Sequence, residues 1–140
     1  MEYIQRVRKT DLARNTHQII RNVQRGQTIL VESHGQAEVA ILDILDYRIV
    51  RAFLSYHTHP PQIDGAGLSQ EMVDAVSDPQ HAYDLVLAHY LAGAISLGRA
   101  AELLGLPPLD LQTSFMRLDV PLQLGPQDEQ SARQDIDAAR

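Results

Sequence analysis

The 140-residue chain contains no cysteine and no tryptophan. Without thiols it can have neither a disulfide scaffold nor a thiolate metal site, which fits a reducing cytosol. Five Tyr and two Phe are its aromatic residues, so the core must be built mainly from Leu, Ile, Val and Ala. No stretch approaches the roughly 20 uninterrupted apolar residues of a spanning helix. The start, Met1-Glu2-Tyr3-Ile4-Gln5-Arg6, lacks the apolar core of a signal peptide. The expectation is a cytoplasmic protein without a membrane partner. A phosphate-cradling Gly loop and a Gly-x-Ser-x-Gly elbow are also missing, and no catalytic residue or cofactor is assigned. What remains is 44% hydrophobic and 21% charged, enough for a folded core in one ordinary domain or two very small ones.

Charge is unevenly spread. Residues 1–25 carry Arg6, Arg8, Lys9, Arg14, Arg21 and Arg25 against Glu2 and Asp11, a local balance of +4 within a total of −6. Residues 52–140 carry Arg99, Arg117, Arg133 and Arg140 against twelve acids, a balance of −8. A basic head suits nucleic acid, and an acidic body suits a basic partner; the plain alternative is two solvated surfaces.

Tyr3 to Arg8 reads as a short strand. Thr10-Asp11 then reads as a helix start, a hydroxyl N-cap followed by an acid at the positive helix end. Leu12, Thr16, Ile19, Ile20 and Val23 share one side of that helix, Arg14, Gln18, Arg21 and Arg25 the other, and Gly26 stops it. Two strands follow, Thr28–Ser33 and Gln36–Leu42, joined at His34-Gly35, where Gly tolerates the positive φ of a tight hairpin turn. Asp43 caps a second helix to about Tyr56, with Ile44, Tyr47 and Leu54 expected to be buried. Residues 57–67, with two prolines and two glycines, read as a linker. Beyond it helices are expected over 69–76, 79–92 behind the Asp78-Pro79 cap, 97–104 up to Gly105, and from Pro107-Pro108 to about Leu118. Val120–Leu124 reads as extended and 127–140 as a polar tail.

The residues Val7-Arg8-Lys9-Thr10-Asp11-Leu12, Asn15, Ile19-Ile20, Val23 and Gly26, continuing through Thr28–Val31, His34-Gly35, Val39–Leu42 and Tyr47, are similar to the N-terminal domain of the Phd/YefM antitoxins. The pattern covers residues 3–51 in register. The resemblance implies a small α+β domain that dimerises, binds operator DNA and represses its own operon. The residues themselves meet that chemistry: Arg8, Lys9 and Thr10 at a helix start supply cations and backbone N–H groups for phosphate. Arg14 and Asn15 stand one turn in, within reach of base edges, and Ser33 and His34 stand at the hairpin turn. The chain has Ala13 and Ser33 where the family usually carries a basic residue, with Arg14 and His34 next to them.

Gly93-Ala94-Ile95-Ser96-Leu97-Gly98-Arg99-Ala100-Ala101-Glu102-Leu103-Leu104-Gly105-Leu106 carries a second resemblance, extended by Phe115, Val120-Pro121 and the acidic end around Asp128-Glu129 and Asp135. Over 85–140 the chain resembles an uncharacterised family of small helical prokaryotic proteins encoded beside PIN-like toxin genes, which implies an antitoxin-like role. Ser96–Leu118 has helix-turn-helix spacing, with Ala101 at the crossing, Gly105 at the turn, and Leu111 and Phe115 facing back. A reading helix should be basic; this one has Arg117 as its one cation, which favours packing or partner binding over DNA.

His57-Thr58-His59-Pro60 matches part of the JAMM metalloprotease signature, but Gly67 and Gln70 stand where that signature wants Ser and Asp. Three ligands and a general base must converge for zinc hydrolysis, so no metal site is assigned. The combined expectation is an α+β antitoxin. Residues 1–56 form a strand–helix–hairpin–helix dimerisation and DNA-binding domain, 57–67 a linker, and 68–140 an all-α, helix-turn-helix-like partner-binding region. Arg8, Lys9, Thr10, Arg14, Asn15, Ser33 and His34 are expected on operator DNA; Leu111, Phe115, Leu122 and Leu124 on a cognate toxin, with a PIN-like ribonuclease as candidate. A homodimeric adaptor that binds no DNA is the alternative, and a JAMM-like hydrolase the remote one.

Overall fold

The computed structural model describes residues 3–63 and 65–122. Its elements begin with β1 (Ile4–Arg8), α1 (Lys9–Arg14), α2 (Thr16–Gln24), β2 (Thr28–Ser33) and β3 (Gln36–Ile41). β1 and β2 are parallel, with Ile4 opposite Thr28 and Arg8 opposite Glu32, as the crossover through two helices requires. β3 returns antiparallel to β2, with an irregularity between Val31 and Glu32. Val7, Ile29 and Val31 from the sheet bury against Ile19 and Val23, with Leu12 and Ile41 at the margin. The Asn22 amide donates to Gln5 Oε1 at 3.1 Å and ties α2 to β1. At the hairpin His34 and Gly35 have φ of 53° and 76°, the two positive values of a type I′ turn, whose twist matches that of the strands.

The single helix expected after Thr10 is two helices, and Thr10 is not its cap. Arg8 occupies the N-cap position, and its N–H donates to the Asp11 carboxylate at 3.4 Å. The break falls at Asn15, with φ −121° and ψ 33°. Two poor helix formers meet there, and the Thr16 hydroxyl donates back to Leu12 O, a bond that bends helices. After the break Ile20 is 42% exposed rather than buried beside Ile19.

The helix α3 (Ile44–Thr58) follows, its start capped by Asp43, whose carboxylate accepts from Leu45 N–H at 3.0 Å. Ile44, Tyr47 and Leu54, expected inside, are 59%, 48% and 49% exposed. The buried positions are Asp46, Ile49 and Ala52. Both sets have helical spacing and both are largely apolar, so periodicity does not separate them.

The rest is α-helical: α4 (Gln70–Asp74), α5 (Pro79–Leu91), α6 (Leu97–Leu104) and α7 (Pro108–Arg117). Ser69, Asp78 and Ser96 accept backbone N–H groups at the starts of α4, α5 and α6. Leu87, Tyr90, Ala100, Ala101, Leu103, Leu111 and Phe115 are among the buried residues, and the Tyr90 and Phe115 rings stack at 5.6 Å. Gly105 ends α6 in the left-handed region, with φ of 70°. Gly105→Ala places a Cβ in open space, so the backbone alone carries the penalty; the expected loss is about 1–2 kcal/mol in a urea titration.

The sum is a mixed α+β chain with one three-stranded sheet, ordered β1-β2-β3, and seven helices among the described residues. It divides into units Met1–Tyr47 and Arg48–Arg140. The division therefore falls inside α3 and not in the 57–67 segment, whose first residues, His57 and Thr58, are helical. The α3 half beyond Tyr47 belongs with the helices, since Gln80 Nε2 donates to Arg48 O at 3.0 Å and the Arg48 guanidinium lies 5.8 Å from the Tyr83 ring centroid. Val120 turns its N–H back to Phe115 O at 2.9 Å, so that donor is not open to a strand partner. Leu124 and the tail at 127–140 lie outside the described residues. No helix among those described is long and apolar enough to cross a membrane.

Candidate nucleic-acid interface

Because β1 and β2 run parallel and in register, both end at the same side of the sheet. β1 leads there into α1, and β2 leads into the hairpin turn. A cleft of about 550 Å³ opens between these two exits, lined by Arg8, Lys9, Thr10, Glu32, Ser33, His34 and Gly35. Five of the residues expected on DNA thus meet, although Thr10 and Ser33 are 23 positions apart in the chain. Arg14 and Asn15 do not line the cleft. Arg14 ends α1 and Asn15 sits in the break, both exposed.

The cleft is not purely cationic. Lys9 Nζ lies 2.7 Å from Glu38 Oε2, and Arg6 Nη1 lies 2.7 Å from Glu32 Oε1. Arg8 forms no ion pair among the described residues. Both pairs are solvated, and such pairs contribute about 0–1 kcal/mol, so either cation can leave its carboxylate for a phosphate at small cost. Hydroxyl donors from Thr10 and Ser33 and the imidazole of His34 complete a set suited to phosphate and sugar oxygens. Residues 1–47 carry six basic and six acidic side chains, so any attraction for an anion is local to this face. Glu32 and Glu38 read from the sequence as hairpin residues; no local pattern announces that Glu38 reaches Lys9, 29 residues earlier in the chain.

The imidazole of His17, on α2, takes a hydrogen bond from Arg21 Nη2 at 2.9 Å. His57 packs on Phe53 with ring centroids 4.3 Å apart, and His59 is bonded to Thr58. Among the described residues no group of three or more His, Asp or Glu is placed to hold a metal.

The residues expected on a partner divide differently. Leu111 and Phe115 are core, 0% and 1% exposed, because the face of α7 that packs on α6 is the one they occupy. Leu122 is 37% exposed. The apolar residues that α7 does present are Leu109 and Met116, 69% and 58% exposed and seven positions apart, hence on one face.

No family model, no curated protein and no solved structure matches this chain.

Proposed function

We propose that the chain is a cytoplasmic antitoxin of a type II toxin–antitoxin pair, with a Phd/YefM-like head that dimerises on operator DNA and an acidic helical body that binds the toxin. The observation that supports it most is the cleft, in which Arg8, Lys9 and Thr10 meet Ser33 and His34 from two separate chain segments. A dimer presents two such clefts, the arrangement that reads paired half-sites. Dimerisation has its own support: Ile4, Ile20 and Val39 are 54%, 42% and 55% exposed in the first unit, and a three-stranded sheet with one helix layer leaves apolar surface that a second copy can cover. For toxin binding, residues 48–140 carry twelve acidic against six basic side chains, a balance suited to the basic groove of an RNA-cleaving toxin such as a PIN-like ribonuclease.

The deciding experiment measures binding of the full chain to its own promoter and to random DNA across a salt series. The expected result is a preference for the promoter with affinity falling steeply as salt rises. Equal affinity for both would transfer support to the adaptor reading, which the even charge balance of residues 1–47 favours.

A further inference from the structure

The second unit contains a cavity of about 250 Å³ lined by α3, the segment after it and α5, with Ser55, Tyr56, His59, Asp84, Leu85 and His89 among its walls. The hydrogen bonds around it fix what it can accept. His89 Nδ1 is 2.9 Å from Leu85 O; a carbonyl only accepts, so Nδ1 carries a proton and the neutral ring has its lone pair on Nε2. The Thr58 hydroxyl donates its one hydrogen to Leu54 O at 2.7 Å and lies 3.0 Å from His59 Nδ1. That oxygen can therefore only accept from His59, which leaves His59 in the same tautomer. Asp84 Oδ1 accepts from Gln80 Nε2 at 3.0 Å, and Oδ2 has no partner among the described residues.

His89 is 8% exposed, yet its Nε2 has no partner among the described residues and is not among the side-chain atoms closed off from solvent. The cavity is the open space it lines. Two imidazoles and one carboxylate thus line a pocket whose other walls are apolar at Pro61, Ile63, Leu85 and Ala88 and neutral polar at Ser55, Tyr56 and Gln62. A lining with one carboxylate, no Lys or Arg, two imidazole acceptors and hydroxyls at Ser55 and Tyr56 that can also accept suits a cation with several N–H groups on an apolar stem. The three acceptors are not gathered closely enough for a metal ion, whereas a planar guanidinium spreads five donors over a wider fork.

We propose that this cavity takes the guanidinium of an arginine side chain presented by a protein partner. Asp84 supplies the charge, the two Nε2 atoms receive N–H groups, and the apolar walls hold the methylene stem. The source of the arginine rests on the reading of this unit as a partner-binding body; the chemistry of the pocket does not.

The test uses the full chain and two probes, N-acetyl-arginine amide and its uncharged urea counterpart N-acetyl-citrulline amide, with imidazole resonances followed by NMR at pH 7.5. The arginine probe should shift His59 and His89 saturably and leave His17, His34, His57 and His81 in place. The citrulline probe should bind about tenfold more weakly, the usual worth of one charge-assisted contact. Asp84→Asn, which keeps the acceptor for Gln80, should bring the two probes to equal affinity. Absence of a saturable shift at His59 and His89, or equal binding of the two probes by the unaltered chain, overturns the proposal whether or not the variant folds. Toxin neutralisation is read separately by co-expression, so a bound probe without neutralisation counts against the antitoxin reading and leaves the pocket standing.

Discussion

Replacing Arg8 and Lys9 together by alanine is expected to abolish promoter binding at physiological salt while leaving the fold in place. Both side chains line the cleft, and each can neutralise a phosphate, so a dimer loses about four phosphate contacts. The salt dependence should flatten by about three to four in log–log slope, and affinity should fall by roughly 100-fold or more. Stability should hardly change, because Arg8 has no ion partner among the described residues and the Lys9–Glu38 pair is solvated. Arg25→Ala is the comparison: it removes an exposed cation from the end of α2, away from the cleft, and should weaken promoter and random DNA to a small and similar extent. Electrophoretic mobility across a salt series, with thermal unfolding alongside, separates these outcomes. Promoter affinity unchanged in the double variant would remove the cleft from the interface.

Phe115→Ala should have the opposite profile. Phe115 is 1% exposed and stacks on Tyr90 with the rings 3° from parallel. Removing the ring costs about 3–5 kcal/mol in a close-packed core, a large part of the roughly 5–15 kcal/mol that stabilises a domain. The helical unit should unfold at a much lower temperature, and protection from the toxin in co-expressing cells should be lost. Leu109→Glu with Met116→Glu should also lose protection, but with stability shifted by no more than about 0.5 kcal/mol per exposed site. If the doubly charged variant protects as well as the unaltered chain, the exposed face of α7 is not where the toxin docks.

The contrast between Phe115 and Leu109 illustrates where the sequence was legible. Features set by neighbours in the chain could be read directly: the His34-Gly35 turn, the Asp43 and Asp78 caps, and the stop at Gly105 all stand where local chemistry puts them. Features set by distant contacts could not. The face α3 buries is decided by what packs on it, since the Ile44, Tyr47 and Leu54 stripe is as apolar as the one containing Ile49 and Ala52. Leu111 and Phe115 read as apolar in either role, and only packing shows that they close the core. The site is intermediate. Its residues were legible at two separate places in the chain, and their meeting depends on the parallel register of β1 with β2.

His34 stands in the left-handed region with φ of 53°, a backbone state that glycine or asparagine occupies with less strain. His34→Gly would relax the turn and delete the imidazole at the edge of the cleft in the same step. Robustness and recognition therefore pull in opposite directions at this one position. Selection for heat tolerance alone would favour glycine here, and selection for a polar ring at the edge of the cleft would favour histidine.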